Sequence, residues 1–144
     1  MKPLNVKSSK VLQKLIDCMN DPKYAKTPGS YAKLEKKNSC YMPVSVEKLA
    51  HIPTFDEHIV VSHTYERQGD LMRDPEMEFV SRDGKFYPIT YRQDDLGIYQ
   101  EVFTFSDIDG RPIRYKARLM SALSEFANQW MLNINCQHQL GVEV

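Results

Sequence analysis

The sequence predicts an α+β fold, in which an antiparallel β-meander of five or six strands carries an N-terminal and a C-terminal helix packed on one face. Between residues 40 and 115, short runs rich in β-branched and aromatic residues alternate at period two and are separated by Gly, Asp and Pro turns. Near both ends, apolar residues recur at helical spacing instead. With 144 residues, we expect a single domain, 1–144, around one core.

The first helix is predicted within residues 1–20, with Ser8 or Ser9 as its N-cap. It ends at Asn20-Asp21-Pro22, because the residue before a proline disfavours helical geometry. Its apolar stripe consists of Val11, Leu12, Leu15, Ile16 and Met19. The polar residues 21–39, which include Pro22, Pro28 and Gly29, are predicted to form a loop.

The sheet is predicted to span residues 40–115 and to begin with an edge strand over 40–49, since Pro43 is tolerated only at an edge. Ile59 to Glu66 forms the next strand, and a further strand begins at Pro75. We expect these two strands to be antiparallel neighbours joined by a loop of about eight residues.

The second half of the sheet is marked by turns. Asp83-Gly84 between two β-type runs is the clearest hairpin signal in the chain. Further strands are predicted over 86–92 and 98–105, with a short final strand over 111–115. The C-terminal helix is predicted over 116–136. Its apolar stripe consists of Leu119, Leu123, Phe126, Trp130 and Ile134.

The segment from His63 to Phe79 holds the most concentrated set of candidate site residues. If the chain folds back between Glu66 and Glu76, carboxylates and one imidazole come close together. Such groups suit a hard divalent cation. The same residues are also common in turns and on the solvated face of a strand, and this structural interpretation remains open. The candidates for a metal or polar site are His63, Asp70, Asp74, Glu76 and Glu78.

The same segment resembles an uncharacterised bacterial domain-of-unknown-function family that occurs on mobile elements such as conjugative elements, plasmids and phage-like islands. The shared pattern is H-x-Y-x-x-x-G-D-x-M-x-D-P-E-M-x-F, running here from His63 to Phe79. The resemblance covers about residues 40 to 140, although the family commonly has Gln where this chain has Arg92. It implies a mobile-element context. It implies no activity, and no catalytic residue is carried over.

The formal net charge is zero, but the charges are unevenly distributed. Residues 1–50 are rich in lysine, whereas residues 51–110 are rich in Asp and Glu. Such asymmetry is typical of a protein with a basic region for an anionic partner, or of charged faces that attract each other within one monomer. The candidate anion-binding residues are Lys33, Lys36, Lys37, Arg114, Lys116 and Arg118.

Several classes of protein are disfavoured by composition. The sequence contains no apolar run of membrane-spanning length and no secretory signal at its N-terminus. Cys18, Cys40 and Cys136 are odd in number and widely spaced, which is atypical of a disulfide framework or a zinc site. We therefore expect a cytoplasmic protein that does not associate with membranes.

No phosphate-binding loop, dinucleotide fingerprint, metalloprotease motif or nucleophile elbow occurs in the sequence. The favoured hypothesis is an accessory protein of a bacterial mobile element that binds protein or nucleic acid without catalysis and needs no cofactor. The alternative is a metal-dependent hydrolase that uses a divalent cation held by the acidic residues between 63 and 78.

Overall fold

The computed structural model describes residues 1–143, and within them it contains two α-helices and nine β-strands. The helices are α1 (Val6–Asp17) and α2 (Ala117–His138), and the strands are β1 (Ala25–Thr27), β2 (Tyr31–Leu34), β3 (Val44–Lys48), β4 (Glu57–Arg67), β5 (Asp70–Arg82), β6 (Lys85–Gln93), β7 (Ile98–Glu101), β8 (Phe103–Phe105) and β9 (Pro112–Tyr115). Strands β1 to β7 form one antiparallel sheet in chain order, and β8 and β9 form a separate two-stranded ribbon. The α+β prediction is confirmed, but the predicted count of five or six strands is wrong.

Two of the unpredicted strands lie in residues 21–39, which were expected to form a loop. β1 has three residues and β2 has four, so neither is long enough for period-two alternation to stand out among the polar residues around it. In β2 only Ala32 and Leu34 are buried. Because β2 pairs with β3, β3 is not the edge strand that was predicted. Pro43 lies outside β3, which begins at Val44, and therefore removes no hydrogen bond from the ladder.

The predicted strand over 98–105 is divided at Val102. β7 continues the main sheet before this residue, whereas β8 turns away from the sheet to pair with β9. The backbone N–H of Val102 donates to the carbonyl of Ile89, and the carbonyl of Val102 accepts from the N–H of Lys116. The ribbon of β8 and β9 is therefore fixed to the sheet at its base.

Both helices pack on one face of the main sheet, which we call the helical face. It carries Ile59, Val61, Met77 and Phe79, all of which are almost completely buried. These residues pair directly across β4 and β5, Ile59 opposite Phe79 and Val61 opposite Met77. Burial of such side chains stabilises the fold by roughly 1.5–3 kcal/mol each.

Helix α1 starts earlier than its serines suggest. Its N-cap is Asn5, whose side-chain oxygen accepts from the N–H of Ser8. The hydroxyl of Ser8 is buried and donates to the carbonyl of Asn128, which ties α1 to α2. A serine near a helix start thus makes a tertiary contact here while an earlier Asn forms the cap. Within residues 1–143, neither helix is long and apolar enough to cross a membrane.

Candidate functional site

The β4–β5 hairpin positions all the candidate site residues between 63 and 78. Its turn consists of Gln68 and Gly69, both with positive φ, and Arg67 pairs with Asp70. The chain therefore folds back between Glu66 and Glu76 as expected, but the predicted loop of about eight residues is wrong. Two positive φ angles are typical of a type I′ turn, which usually has Asn or Asp at its first position. Because this chain has Gln68 there, the sequence did not indicate a two-residue turn.

Pro75 lies within β5 and not at the start of a strand. Ser62 pairs with Glu76 and Thr64 with Arg73, so Asp74 and Pro75 together oppose the single residue His63. This is a β-bulge, and a bulge accepts proline because one of its residues makes no ladder hydrogen bond. The bulge lets one strand continue from Asp70 to Arg82.

His63 lies on the helical face, away from Glu76 and Glu78. Its Nδ1 accepts a hydrogen bond from the indole Nε1 of Trp130 at 3.3 Å. The proton of the neutral ring is then on Nε2, which is buried without a hydrogen-bond partner in the described chain. Burial and the nearby His138 lower the pKa of His63 to about 4. Since neither nitrogen offers a free lone pair, His63 in this state does not coordinate a cation.

The carboxylates of the predicted site have separate surroundings. Asp70 is exposed at the end of the hairpin. Burial and the charge of Asp95 raise the pKa of Asp74. The Oε1 of Glu76 accepts a hydrogen bond from the hydroxyl of Ser62 at 3.1 Å. Its Oε2 lies 3.7 Å from the Nη1 of Arg73 and 4.0 Å from the Nε of Arg92. Within residues 1–143, no three His, Cys, Asp or Glu side chains are arranged to hold a metal ion. The five candidates do not converge on one site.

Glu78 does belong to a site, but with residues other than the predicted ones. It lies on the second face of the sheet, which we call the open face and which also carries His58, Val60, Ser62 and Glu76. A cavity of about 660 Å³, which we name the open-face cleft, has its floor on this face of the sheet. Its lining residues are Ala50, His51, Ile52, Pro53, His58, Glu78, Ile89, Thr90, Tyr99, Glu101, Phe103, Phe105, Asp109 and Gly110.

The walls of the open-face cleft come from two irregular parts of the chain. Residues 50–53, between β3 and β4, form one wall, and the β8–β9 ribbon with its turn forms the other. Phe103 of the ribbon stacks on Phe55 with ring centroids 5.6 Å apart and meets Phe105 edge to face at 5.9 Å. These aromatic contacts hold the ribbon wall over the open face.

A histidine–carboxylate pair occupies the cleft floor. The Nε2 of His58 lies 2.6 Å from the Oε1 of Glu78, and the Nδ1 of His58 lies 2.9 Å from the carbonyl of Ala50. A carbonyl only accepts, so Nδ1 carries a proton, and the carboxylate favours a second proton on Nε2. The hydroxyl of Thr90 donates to the other oxygen of Glu78 at 3.1 Å.

The pKa values of this pair agree with an imidazolium–carboxylate ion pair. Burial lowers the pKa of His58, but the hydrogen bonds to Glu78 and Ala50 and the charge of Glu78 outweigh burial, so the pKa is raised. Burial raises the pKa of Glu78, but His58, Thr90 and Arg92 outweigh it, so that pKa is lowered. Each partner therefore holds the other in its charged form.

The rest of the cleft presents hydrogen-bond acceptors and aromatic rings. The Nε2 of His51 lies 2.7 Å from the carbonyl of Phe55, so Nε2 carries the proton and Nδ1 of the neutral ring is an acceptor. Glu101 is exposed at the rim. Burial and the carboxylate of Glu101 raise the pKa of the Tyr99 hydroxyl. Asp109 lies 3.5 Å from the Nε of Arg111, and both are well exposed.

The candidate anion-binding residues form two groups at opposite ends of α2. Lys36 lies near His138 at the C-terminal end, and Lys33 lies 3.8 Å from Glu35. Arg118 and the N-cap Lys116 lie at the other end. A helix of 22 residues is about 33 Å long. Lys37 follows Lys36 in the chain and Arg114 lies in β9, so the six residues do not form one surface.

Four polar residues of the cleft were not predicted from the sequence: His58, Thr90, Tyr99 and Glu101. His58 shares a strand face with Ser62, and that face carries Glu76 and Glu78 across the hairpin. The two-residue turn at Gln68-Gly69 sets the pairing only as far as Thr64 and Arg73, and the bulge at Asp74 and Pro75 then shifts it by one residue, which brings Glu78 to the face of His58. The expected long loop left that register open.

Comparison with known proteins gives one result. A family model described as "Domain of unknown function (DUF6908)" matches residues 10–140. No curated protein and no solved structure is significantly similar to the chain.

Proposed function

The chain belongs to this DUF6908 family of unknown function, since the match covers most of its length, and we propose that it is a non-catalytic binding module whose open-face cleft takes a segment of a partner protein. The observation that carries the proposal is the cleft itself. A volume of about 660 Å³ with aromatic walls and a few polar groups is typical of a binding site.

The polar groups on the cleft floor support binding over catalysis. A general base needs a free lone pair within reach of the proton that it removes. Both nitrogens of His58 face acceptors, and both oxygens of Glu78 already have partners. The pair therefore stabilises the floor of the cleft. The alternative of a metal-dependent hydrolase gains no support, because His63, Asp74 and Glu76 each have different neighbours.

The charges of the cleft favour a protein partner over a nucleic acid. The lining includes Glu78, Glu101 and Asp109 but neither Lys nor Arg. Nucleic-acid binding depends on Lys and Arg side chains that neutralise the phosphates, whereas carboxylates repel the phosphates. The lysines and arginines that were predicted to bind an anion lie in two separate groups near opposite ends of α2.

We also propose that the module is an accessory protein of a bacterial mobile element. The support is the resemblance of the segment from His63 to Phe79 to a family with that context. Genes flanking the family's members provide the test. Conjugation, plasmid-maintenance or phage genes are expected beside them, and a consistent set of housekeeping neighbours would contradict the proposal.

The cleft is tested by filling it. Ala50 is exposed and lines the cleft, so Ala50→Trp places an indole in the space without disturbing the core. Ala122→Trp is the matched control, since Ala122 is exposed on α2 on the other side of the sheet. Random peptides displayed on phage are selected on the full-length wild-type chain and then measured against both variants.

We expect the selected peptides to bind wild type and Ala122→Trp and to lose at least tenfold in affinity for Ala50→Trp, a loss of about 1.4 kcal/mol. Circular dichroism and thermal unfolding confirm that both variants are folded. Peptides that bind Ala50→Trp as tightly as wild type, or a failure to select any peptide, would overturn the proposal.

A further inference from the structure

We infer that the group which the open-face cleft recognises is the guanidinium of an arginine side chain in the partner segment. This inference rests on the proposed function and names the chemistry of the ligand. It follows from the inventory of hydrogen-bonding groups in the cleft, from its charge and from its aromatic walls.

The polar atoms available to a ligand are mainly acceptors. Glu101 has no ion-pair partner among the described residues, and its exposed carboxylate lies at the rim beside the hydroxyl of Tyr99. In its neutral form His51 offers Nδ1, because Nε2–H then donates to the carbonyl of Phe55. A ligand that satisfies such a set must supply donors, and a guanidinium supplies five in a planar fork.

The charge of the cleft has the matching sign. Of the lining carboxylates, Glu78 is neutralised by His58. The Oδ2 of Asp109 lies 3.5 Å from the Nε of Arg111, which offsets the charge of this carboxylate. Arg92 adds a positive charge beside Tyr99, but it lies outside the lining and 4.0 Å from Glu76. Glu101 remains the carboxylate that a cation can pair with.

The aromatic side chains provide the second half of a guanidinium site. Tyr99 and Phe105 are each exposed over more than a third of their surface although they line a cleft. Guanidinium groups stack on such rings and are more weakly hydrated than ammonium groups. The ring of Tyr99 already carries the guanidinium of Arg92, 4.4 Å from its centre, and the ring of Phe55 carries that of Arg82 at 4.9 Å. Phe105 is an exposed ring of the cleft on which no arginine of the described chain is stacked.

The test uses a matched pair of small probes with the full-length, ¹⁵N-labelled chain. N-acetyl-L-arginine methylamide carries the guanidinium, and the citrulline analogue replaces it with a neutral urea of nearly the same shape. We expect the arginine probe to shift the backbone amide signals of Tyr99, Glu101, Phe103 and Phe105 with millimolar affinity, and the citrulline probe to bind at least fivefold more weakly. The affinity of the arginine probe should fall as salt is raised from 50 to 300 mM.

Glu101→Gln supplies the residue-level test. Glu101 is exposed, so the variant is expected to keep the fold, and its affinity for the arginine probe should fall about fivefold or more. Glu125→Gln changes the net charge equally on the helical side and should stay within twofold of wild type. Equal binding of both probes, an unchanged affinity in Glu101→Gln, or no shift with either probe would overturn the inference.

The two proposals fail in distinguishable ways. If displayed peptides need an unfilled cleft but contain no arginine, and the probes bind equally, the cleft is a protein-binding site of another chemistry. If Ala50→Trp leaves peptide binding unchanged, the proposed function itself fails. Binding of a short DNA or RNA duplex that displaces the arginine probe would contradict both.

Discussion

The indole Nε1 of Trp130 donates a hydrogen bond to the Nδ1 of His63 at 3.3 Å, and the two rings meet edge to face with centroids 5.4 Å apart. This contact joins α2 to β4 through the core. It also fixes the tautomer of His63, so the imidazole that the motif suggested as a metal ligand is a buried, neutral part of the packing.

The pH dependence of stability should report His63. Its pKa is lowered to about 4 in the folded protein, chiefly by burial, whereas the unfolded value is about 6.5. The unfolded chain therefore binds the proton more readily, and the free energy of unfolding should fall as the pH decreases from about 6.5 to 4, by up to about 3 kcal/mol.

Urea unfolding across this pH range, compared between wild type and His63→Gln, measures the effect. The variant should lose most of the decrease, whereas His51→Gln, at an exposed histidine, should retain it. An identical slope in wild type and His63→Gln would show that His63 titrates normally in the folded protein.

Glu78→Gln should weaken the cleft floor. The raised pKa of His58 stabilises the fold below about pH 6.5, and this contribution is lost as the pH rises through the folded pKa. The lowered pKa of Glu78 stabilises the fold above about pH 4.3, and this contribution is lost on acidification. The pair therefore contributes most between these values, and the variant should be about 1.5–3 kcal/mol less stable near pH 6.

The more direct measurement is an NMR titration of the His58 ring. Its midpoint should move to lower pH in Glu78→Gln and remain in place in the control Glu66→Gln, which removes an exposed carboxylate of the same strand. A midpoint that Glu78→Gln does not move would mean that the ion pair is absent in solution.

Gln68→Asn should stabilise the protein. Gln68 has φ 52° at the first position of the two-residue turn, where a long side chain is disfavoured and Asn is preferred. We expect a gain of about 0.5–1 kcal/mol in the free energy of unfolding. The same change at Gln100, in strand β7, should give no gain, since Asn is disfavoured in strands. A loss of stability in Gln68→Asn would show that the turn has another conformation.

The three thiols should react at different rates with Ellman's reagent. Cys40 and Cys136 are exposed, whereas Cys18 is buried. Burial and the charges of Asp21 and Asp17 also raise the pKa of Cys18, which lowers its thiolate fraction. We expect two thiols to react rapidly in the native protein and the third only on unfolding. Rapid reaction of all three thiols in wild type, or of both remaining thiols in Cys40→Ser, would show that Cys18 is accessible.

The helices and the long central strands were predictable because their patterns extend over enough residues. α2 repeats its apolar spacing over several turns, and Asp83-Gly84 forms the predicted hairpin turn with positive φ at both residues. The short β1 and β2 gave no comparable signal. The prediction that a strand begins at Pro75 was wrong, because a bulge makes proline acceptable inside β5 and the bulge depends on the pairing with β4.

The open-face cleft was less predictable than the strands that form its floor. Glu78 was recognised as a candidate, but its partner His58 is 20 residues away and is brought to it by the register of the hairpin. Glu101 reaches the cleft as the partner of Thr90 in the main sheet. Phe105 reaches it because the chain leaves the sheet at Val102, a departure that no periodicity in the sequence marks. Grouping candidates by nearness in sequence therefore selected His63 and Asp74, neither of which lines the cleft.

The attachment of the β8–β9 ribbon has a consequence for its tip. Both of its ends are anchored at Val102, while residues 106–111 at its tip make backbone hydrogen bonds only to one another within the described chain. Insertions or replacements at the tip therefore leave the ladder of the main sheet intact. The tip residues that line the cleft, Asp109 and Gly110, can therefore be replaced without changing the pairing of the main sheet.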